Sequence, residues 1–287
     1  LIGDAAMGAQ RWVEVGPLQL QPSELMKVAL VIALARYFHS VAAEDIKRIL
    51  ILIPPLILIL VPAVLVLRQP DLGTSALLVI SGTVMLFLAG IRVWKLGVAF
   101  AGLLGAIPVA WQFLREYQKT RILTFINPES DPLGAGYHIL QSKIAFGSGG
   151  LFGKGFLGGT QGHLNFLPEK QTDFIFTMLA EEFGLAGGIA LLLLYFILMA
   201  HGTVLSLRCN SQFGRMIGMG IVTTFFLYVF INMAMVMGLV PVVGVPLPLI
   251  SYGGSAMLTL MFGFGLMLNA HIHRHVQIGR RINNLRS

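Results

Sequence analysis

The stretch FLPEKQTDFIFTMLAEEFG (166–184) sets Asp173 at the mouth of an apolar run that follows a long polar segment. Two roles fit an aspartate there. It can cap the coming helix, because its carboxylate accepts the unpaired first amides. It can also act as a general base, since partial desolvation just outside hydrocarbon favours the protonated form of a carboxylate. The two roles are compatible. Other tempting arrangements fail. Gly153, Gly155 and Gly158 match the GxGxxG spacing, but no strand–helix–strand unit surrounds them. Gly153–Lys154 resembles the end of a P-loop, yet Ser148 stands where the first glycine belongs and Gly155 where Ser or Thr belongs. Ser251 lies in no GxSxG pattern. His271, His273 and His275 alternate, so only the first and last share a helix face. The single cysteine, Cys209, excludes an internal disulfide and any CxxC site.

These residues are held by an unusually apolar chain. Of its 287 residues 56% are hydrophobic and 11% charged, with a mean hydropathy of +0.80. Soluble domains carry about 25% charged residues. A disordered segment or a nucleic-acid module needs the opposite balance. The net charge of +7 does not indicate nucleic acid, because the basic residues are scattered between long apolar runs. The expected class is an all-α polytopic membrane protein.

Against the ~20 residues a helix needs to cross hydrocarbon, the sequence predicts seven spans, over 24–38, 49–67, 74–91, 96–114, 174–200, 216–238 and 254–270. Glu24 and Lys27 make the first the weakest. The second carries Pro54 and Pro55 inside its run, which requires neighbours to satisfy the freed carbonyls. Short-loop cations set the orientation. Arg36, Lys47, Arg48, Arg92, Lys95, Arg208, Arg215, Arg274, Arg280, Arg281 and Arg286 fall on one side, which becomes the cytoplasmic side and includes the C-terminus. Asp4, Glu14, Glu24, Asp71, Glu116, Glu129, Asp131, Glu169 and Asp173, nine of the 13 acids, fall on the other. Carboxylate chemistry therefore belongs to the outer face.

The chain reads as one membrane domain over 1–287 with a long extracytoplasmic loop over 115–173. Loops of that length are usually functional or disordered, and this one keeps its apolar residues. YHILQSKIAF (137–146) has helical spacing and is expected to lie flat at the interface. GSGGLFGKGFLGGTQG, which follows, lets backbone approach a ligand closely or turn tightly. INMAMVMGLVPVVGVPLPLISYGGSA (231–256) carries Pro241, Pro246 and Pro248 among glycines and no charge, the pattern of a broken, re-entrant segment.

Several stretches together resemble the SEDS (shape, elongation, division, sporulation) family, and its rod-shape branch more than its division branch. They are GAQRW (8–12), QPSELMK (21–27), RQPDLGT (68–74), residues 120–161, FLPEKQTDFIFTMLAEEFG, residues 231–260 and the terminal HIHRH, in the family's order. The resemblance implies about ten spans in the full fold, so that this chain is expected to be a fragment lacking the first few. It implies a peptidoglycan glycosyltransferase of the bacterial inner membrane that polymerises lipid II, with a class B penicillin-binding protein and the elongation complex as partners. It implies that Asp173 is the essential aspartate. Arg11 and Lys27 are the family's functional cations, and Gln21, Lys143 and Glu169 join them in the expected substrate-binding set. Arg11 suits a diphosphate because a guanidinium forks two oxygens. Asn232 and Ser251 are expected to hydrogen-bond sugar. A Mg²⁺ or Mn²⁺ ion at the diphosphate, held by Asp71 and Asp131, is left open, since no ligand cluster has metal spacing. Two positions depart from the family: Gln171 stands where His is frequent, and Gln19 where a basic residue is frequent. The competing reading is a lipid II flippase.

Overall fold

The computed structural model describes residues 5–6, 9–10, 12–15, 18–42, 44–45, 48–69, 71–113, 116–127, 135–160 and 170–279. Arg11, Asp131 and Glu169 lie outside the described residues. The helices are α1 (Pro22–Ser40), α2 (Ile53–Arg68), α3 (Leu72–Leu88), α4 (Val93–Phe113), α5 (Glu116–Ile126), α6 (Ala135–Ser148), α7 (Ile175–Leu207), α8 (Gln212–Val236) and α9 (Gly254–Ile272). Each of the seven expected spans coincides with one of them. The stretches Leu50–Arg68, Ile175–Leu207, Gln212–Val236 and Gly254–Ile272 are long and apolar enough to cross a membrane, and Leu72–Leu88 is apolar but shorter. The chain is an integral membrane protein.

Two compact units form. One comprises Leu1–Ala110, Ala200–Phe225 and Leu258–Ser287, the other Trp111–Met199 and Phe226–Met257. The first begins with two short antiparallel pairs, Ala5–Ala6 with Ala9–Gln10 and Val13–Val15 with Leu18–Leu20. Its core joins Leu30, Leu34 and Phe38 of α1 to Ile59 of α2, Leu78 and Met85 of α3, and Ile217 of α8. Small residues let these helices close up. A Cβ at Gly82 would overlap Ile59, and one at Gly220 would overlap Val31 and Met85. Pro54 and Pro55 do not interrupt α2 as expected. The helix starts at Ile53, so both prolines sit in the first turn, where amides have no helical partner. The interior proline is Pro62.

In the second unit the segment expected as a long loop contains two helices, with α6 covering the 137–146 stretch and α5 preceding it. The glycine-rich segment after α6 makes a close backbone approach to a helix. α7 is broken at Gly184, whose φ of 64° and ψ of −162° are not helical. That break frees the carbonyls of Glu181 and Glu182 and the amides of Leu185 and Ala186. The loop replaces every lost bond: Lys154 and Gly155 N–H donate to the two carbonyls, and Leu185 and Ala186 N–H donate to Gly150 and Leu151 oxygens, all at 3.0 Å. Such an approach excludes side chains. A Cβ at Gly149 would overlap the Ala180 carbonyl, one at Gly153 the Glu182 carbonyl, and one at Gly184 the backbone of Leu151 and Gly153. The seam is locked by Glu181, which is fully buried and accepts from Lys154 Nζ (2.7 Å), Thr160 N (2.9 Å) and Thr160 Oγ1 (3.0 Å).

Two expectations follow. Gly153→Ala forces a left-handed residue (φ 78°) against backbone and should destabilise by roughly 2–4 kcal/mol, read as a lower Tm and protease cleavage within 149–159. Gly147→Ala, whose Cβ would meet open space, should be neutral or stabilising by up to ~1 kcal/mol. Separately, Cys209 sits between α7 and α8, its thiol donating towards the carbonyls of Leu205 and Ala270. Burial pushes this thiol above its ordinary value, only partly offset by the charges of Arg215 and Arg274. Less thiolate is then present at any given pH, so iodoacetamide should label native protein more slowly than the unfolded chain at pH ~8. Equal rates would contradict the burial.

Candidate active site

The first unit gathers one set of expected residues at the start of α1 and α3. Gln21 precedes Pro22 as the residue before α1, and its Nε2 donates to Asp71 Oδ2 at 3.3 Å. Asp71 caps α3: Oδ1 accepts from Thr74 N and Oδ2 from Thr74 Oγ1, both at 3.0 Å. One turn into α1, Lys27 Nζ bonds Glu24 Oε1 at 2.6 Å, with both side chains buried. A buried charge is tolerated only when paired. Lys27 is thus not an open phosphate ligand in this state, because Glu24 already balances it inside the helix packing.

The second unit holds Asp173, and the backbone around it is fastened by the broken segment between α8 and α9. Ser251 Oγ donates to Thr172 O at 2.6 Å and accepts from Leu247 N at 2.7 Å. Asn232 Nδ2, on α8, donates to both Asp173 O (2.9 Å) and Val245 O (2.7 Å). Tyr252 N–H donates to Gln171 O at 2.9 Å. Residues 171, 172 and 173 are therefore each held through their carbonyl oxygen. The clamp itself is braced by Tyr195 of α7, whose hydroxyl donates to Pro248 O at 2.6 Å. The carboxylate lies over bare backbone: a Cβ at Gly244, where φ is 67°, would stand 3.3 Å from Asp173 Oδ2. Glycine suits that dihedral, and it leaves the carboxylate uncrowded.

Asn232 and Ser251 were expected to reach sugar. Asn232 is fully buried and Ser251 nearly so, and the hydrogen bonds above join Asn232 Nδ2 and Ser251 Oγ to backbone, where they hold the carbonyls of Asp173 and Thr172. The helix cap also differs from expectation. The carbonyl of Phe174 accepts from Thr177 and Met178 amides, which makes Phe174 the cap position and leaves Asp173 one residue outside it.

Two residues that sequence reasoning passed over complete the frame. Ser142 of α6 is buried and donates to Val236 O at 2.9 Å, so Thr177 Oγ1, 2.8 Å away, donates to Ser142. This bridge ties α6 to α7 and to the end of α8. Its only sequence signal is a small hydroxyl in each of two otherwise apolar helical stretches. The neighbouring Lys143 is exposed on α6. Among the described residues no three His, Cys, Asp or Glu side chains are grouped as metal ligands.

The arrangement is a carboxylate fixed at the end of a membrane helix, with cations elsewhere in the chain. It matches known proteins over nearly its whole length. The cell cycle protein family of FtsW, RodA and SpoVE matches residues 1–276. The peptidoglycan glycosyltransferase MrdB of Escherichia coli K12 is 50% identical over 275 residues, covering 95% of this chain and 73% of MrdB. Stage V sporulation protein E of Bacillus subtilis is 37% identical over 269 residues, covering 93% of this chain and 73% of that protein. A solved chain from a peptidoglycan synthase complex that coordinates polymerization and crosslinking superposes with a TM-score of 0.82 at 32% identity, covering 96% of this chain and 77% of that one. The rod shape determining protein RodA of Thermus thermophilus superposes with a TM-score of 0.67 at 30% identity, covering 96% and 74%. By motif, sequence and fold, the chain belongs to the FtsW, RodA and SpoVE family, the SEDS proteins.

Proposed function

We propose that this chain is a peptidoglycan glycosyltransferase that polymerises lipid II into glycan strands, with Asp173 as the general base. The observation that carries the proposal is the carboxylate of Asp173 lying over Gly244 while Ser251, Asn232 and Tyr252 hold its backbone. A base that must sit within about 3 Å of a hydroxyl gains rate from such fixing. The 50% identity to MrdB supports the substrate class.

The chemistry is a direct displacement. A sugar hydroxyl of the acceptor attacks C1 of the donor as its proton passes to Asp173. The new C–O bond forms while the bond from C1 to the lipid diphosphate breaks, inverting C1. Diphosphate leaves as an anion without needing a proton, so one carboxylate suffices. Its departing charge requires cations. Arg11 and Lys143 are proposed for that role, and Lys27 joins them by exchanging Glu24 for phosphate. Gln21 and Glu169 complete the proposed substrate contacts. A Mg²⁺ or Mn²⁺ ion would supply further charge at the diphosphate. Asp71, one of the acids considered for it, has both oxygens engaged as a cap, and no step above uses a metal. The site is proposed to face the periplasm of a bacterial inner membrane, with the C-terminus cytoplasmic. A class B penicillin-binding protein and the elongation complex are the proposed partners, supported by the likeness to the synthase-complex chain.

Purified protein incubated with lipid II in detergent, with products resolved on a gel, tests the reading. Wild type should make glycan, and Asp173→Asn should lose 10²–10⁴-fold with its Tm unchanged. Lipid II scrambling across vesicles without polymer would support the flippase instead. Ser251→Ala tests the clamp. It should lower kcat on the order of 10-fold to 100-fold through misplacement of Asp173, while KM holds. A rise in KM at constant kcat would mean that Ser251 touches substrate.

A further inference from the structure

The glycine loop that fills the break in α7 carries a row of largely exposed apolar side chains. Leu151, Phe152, Phe156 and Leu157 are 64%, 82%, 74% and 61% exposed. They do not belong to a floppy tip, because four backbone bonds and the Lys154–Glu181 pair pin the loop to α7. Rigid exposed phenylalanines on a segment expected in water demand an occupant.

The depth of the loop along α7 identifies it. Counting ~20 residues of hydrocarbon back from Arg208, the first charge after the apolar run of α7, ends near Gly188. The loop is bonded to residues 181–186. At ~1.5 Å per residue that places it about 3–10 Å beyond the hydrocarbon edge, within the headgroup layer of the leaflet on the Asp173 side. Its apolar row is continuous with the exposed membrane face of α7, which runs on through Leu185, Ile189, Leu192, Leu193 and Phe196. Phe156 also meets Phe183 of that helix, with ring centroids 6.3 Å apart. Residues 149–160 contain no acid, so no charge of the loop repels phosphate headgroups.

We infer that the 150–157 loop is a membrane-seated foot, its Leu151, Phe152, Phe156 and Leu157 side chains inserted among the acyl chains of bilayer phospholipid at the headgroup boundary. Apolar insertion of this kind is favourable in proportion to the apolar area removed from water, and glycine lets the backbone lie flat against the helix while its side chains turn outward. Because the same loop grips α7 between Glu181 and Ala186, the foot fixes how far Asp173 stands from the membrane surface. The inference does not depend on which reaction Asp173 serves.

Labelling full-length protein in phosphatidylethanolamine–phosphatidylglycerol liposomes tests it. Cys209→Ser removes the native thiol, and Phe152→Cys or, in a second variant, Phe156→Cys carries an NBD dye. Variants that retain wild-type thermal unfolding are read. The expected result is blue-shifted NBD emission, loss of quenching by aqueous iodide, and strong quenching by a nitroxide placed on lipid acyl chains near the headgroup, already at low protein-to-lipid ratio. Iodide quenching equal to that of free NBD–cysteine would overturn the inference. So would protection that appears only when the protein-to-lipid ratio is raised, which indicates a second copy, or only on adding a penicillin-binding protein.

Discussion

Buried backbone carbonyls and amides left without partners cost several kcal/mol each, and that constraint governs two places where the described chain departs from helix. At Gly184 four backbone groups of α7 are freed, and four groups of the 150–155 loop take their place. Between Val236 and Gly254 the chain again leaves helix, and there side chains do the work: Asn232, Ser251 and Tyr195 meet the carbonyls of Val245, Thr172 and Pro248. The glycines follow from this, because a Cβ at Gly149, Gly153 or Gly184 would overlap the backbone that takes part in the exchange.

The site inherits its rigidity from the second of these repairs. The groups that satisfy the broken segment are the same groups that hold residues 171–173. Stability and the placement of the carboxylate are therefore one feature rather than two. A similar economy holds in the first unit, where Asp71 is both the cap of α3 and the partner of Gln21, and where the charges of Glu24 and Lys27 cancel inside α1.

Much of this was legible in the sequence, and the exceptions have physical causes. The spans were readable because apolar runs of membrane length have few alternatives to helix. Asp173 was readable because an acid at the mouth of such a run is conspicuous. Periodicity does not reveal which residue begins a helix, so it leaves Pro54 and Pro55 inside the run rather than in the first turn. The composition of the glycine loop shows only what its flexibility permits, whereas its structure depends on a break at Gly184, about thirty residues away, that no local pattern announces. Asn232 and Ser251 were identified as important, but hydrogen-bond direction was invisible: whether a buried polar side chain faces a ligand or a neighbouring carbonyl is decided by tertiary packing. The Ser142–Thr177 bridge was missed for the same reason.

The proposed removal of the acceptor's proton by Asp173 is read in the pH dependence of initial glycan polymerisation. With saturating lipid II, the wild-type rate should fall on acidification with the slope of a single proton, and this acid limb should disappear from the residual activity of Asp173→Asn. The same acid limb in the Asp173→Asn variant would contradict it, because another group would then be the base.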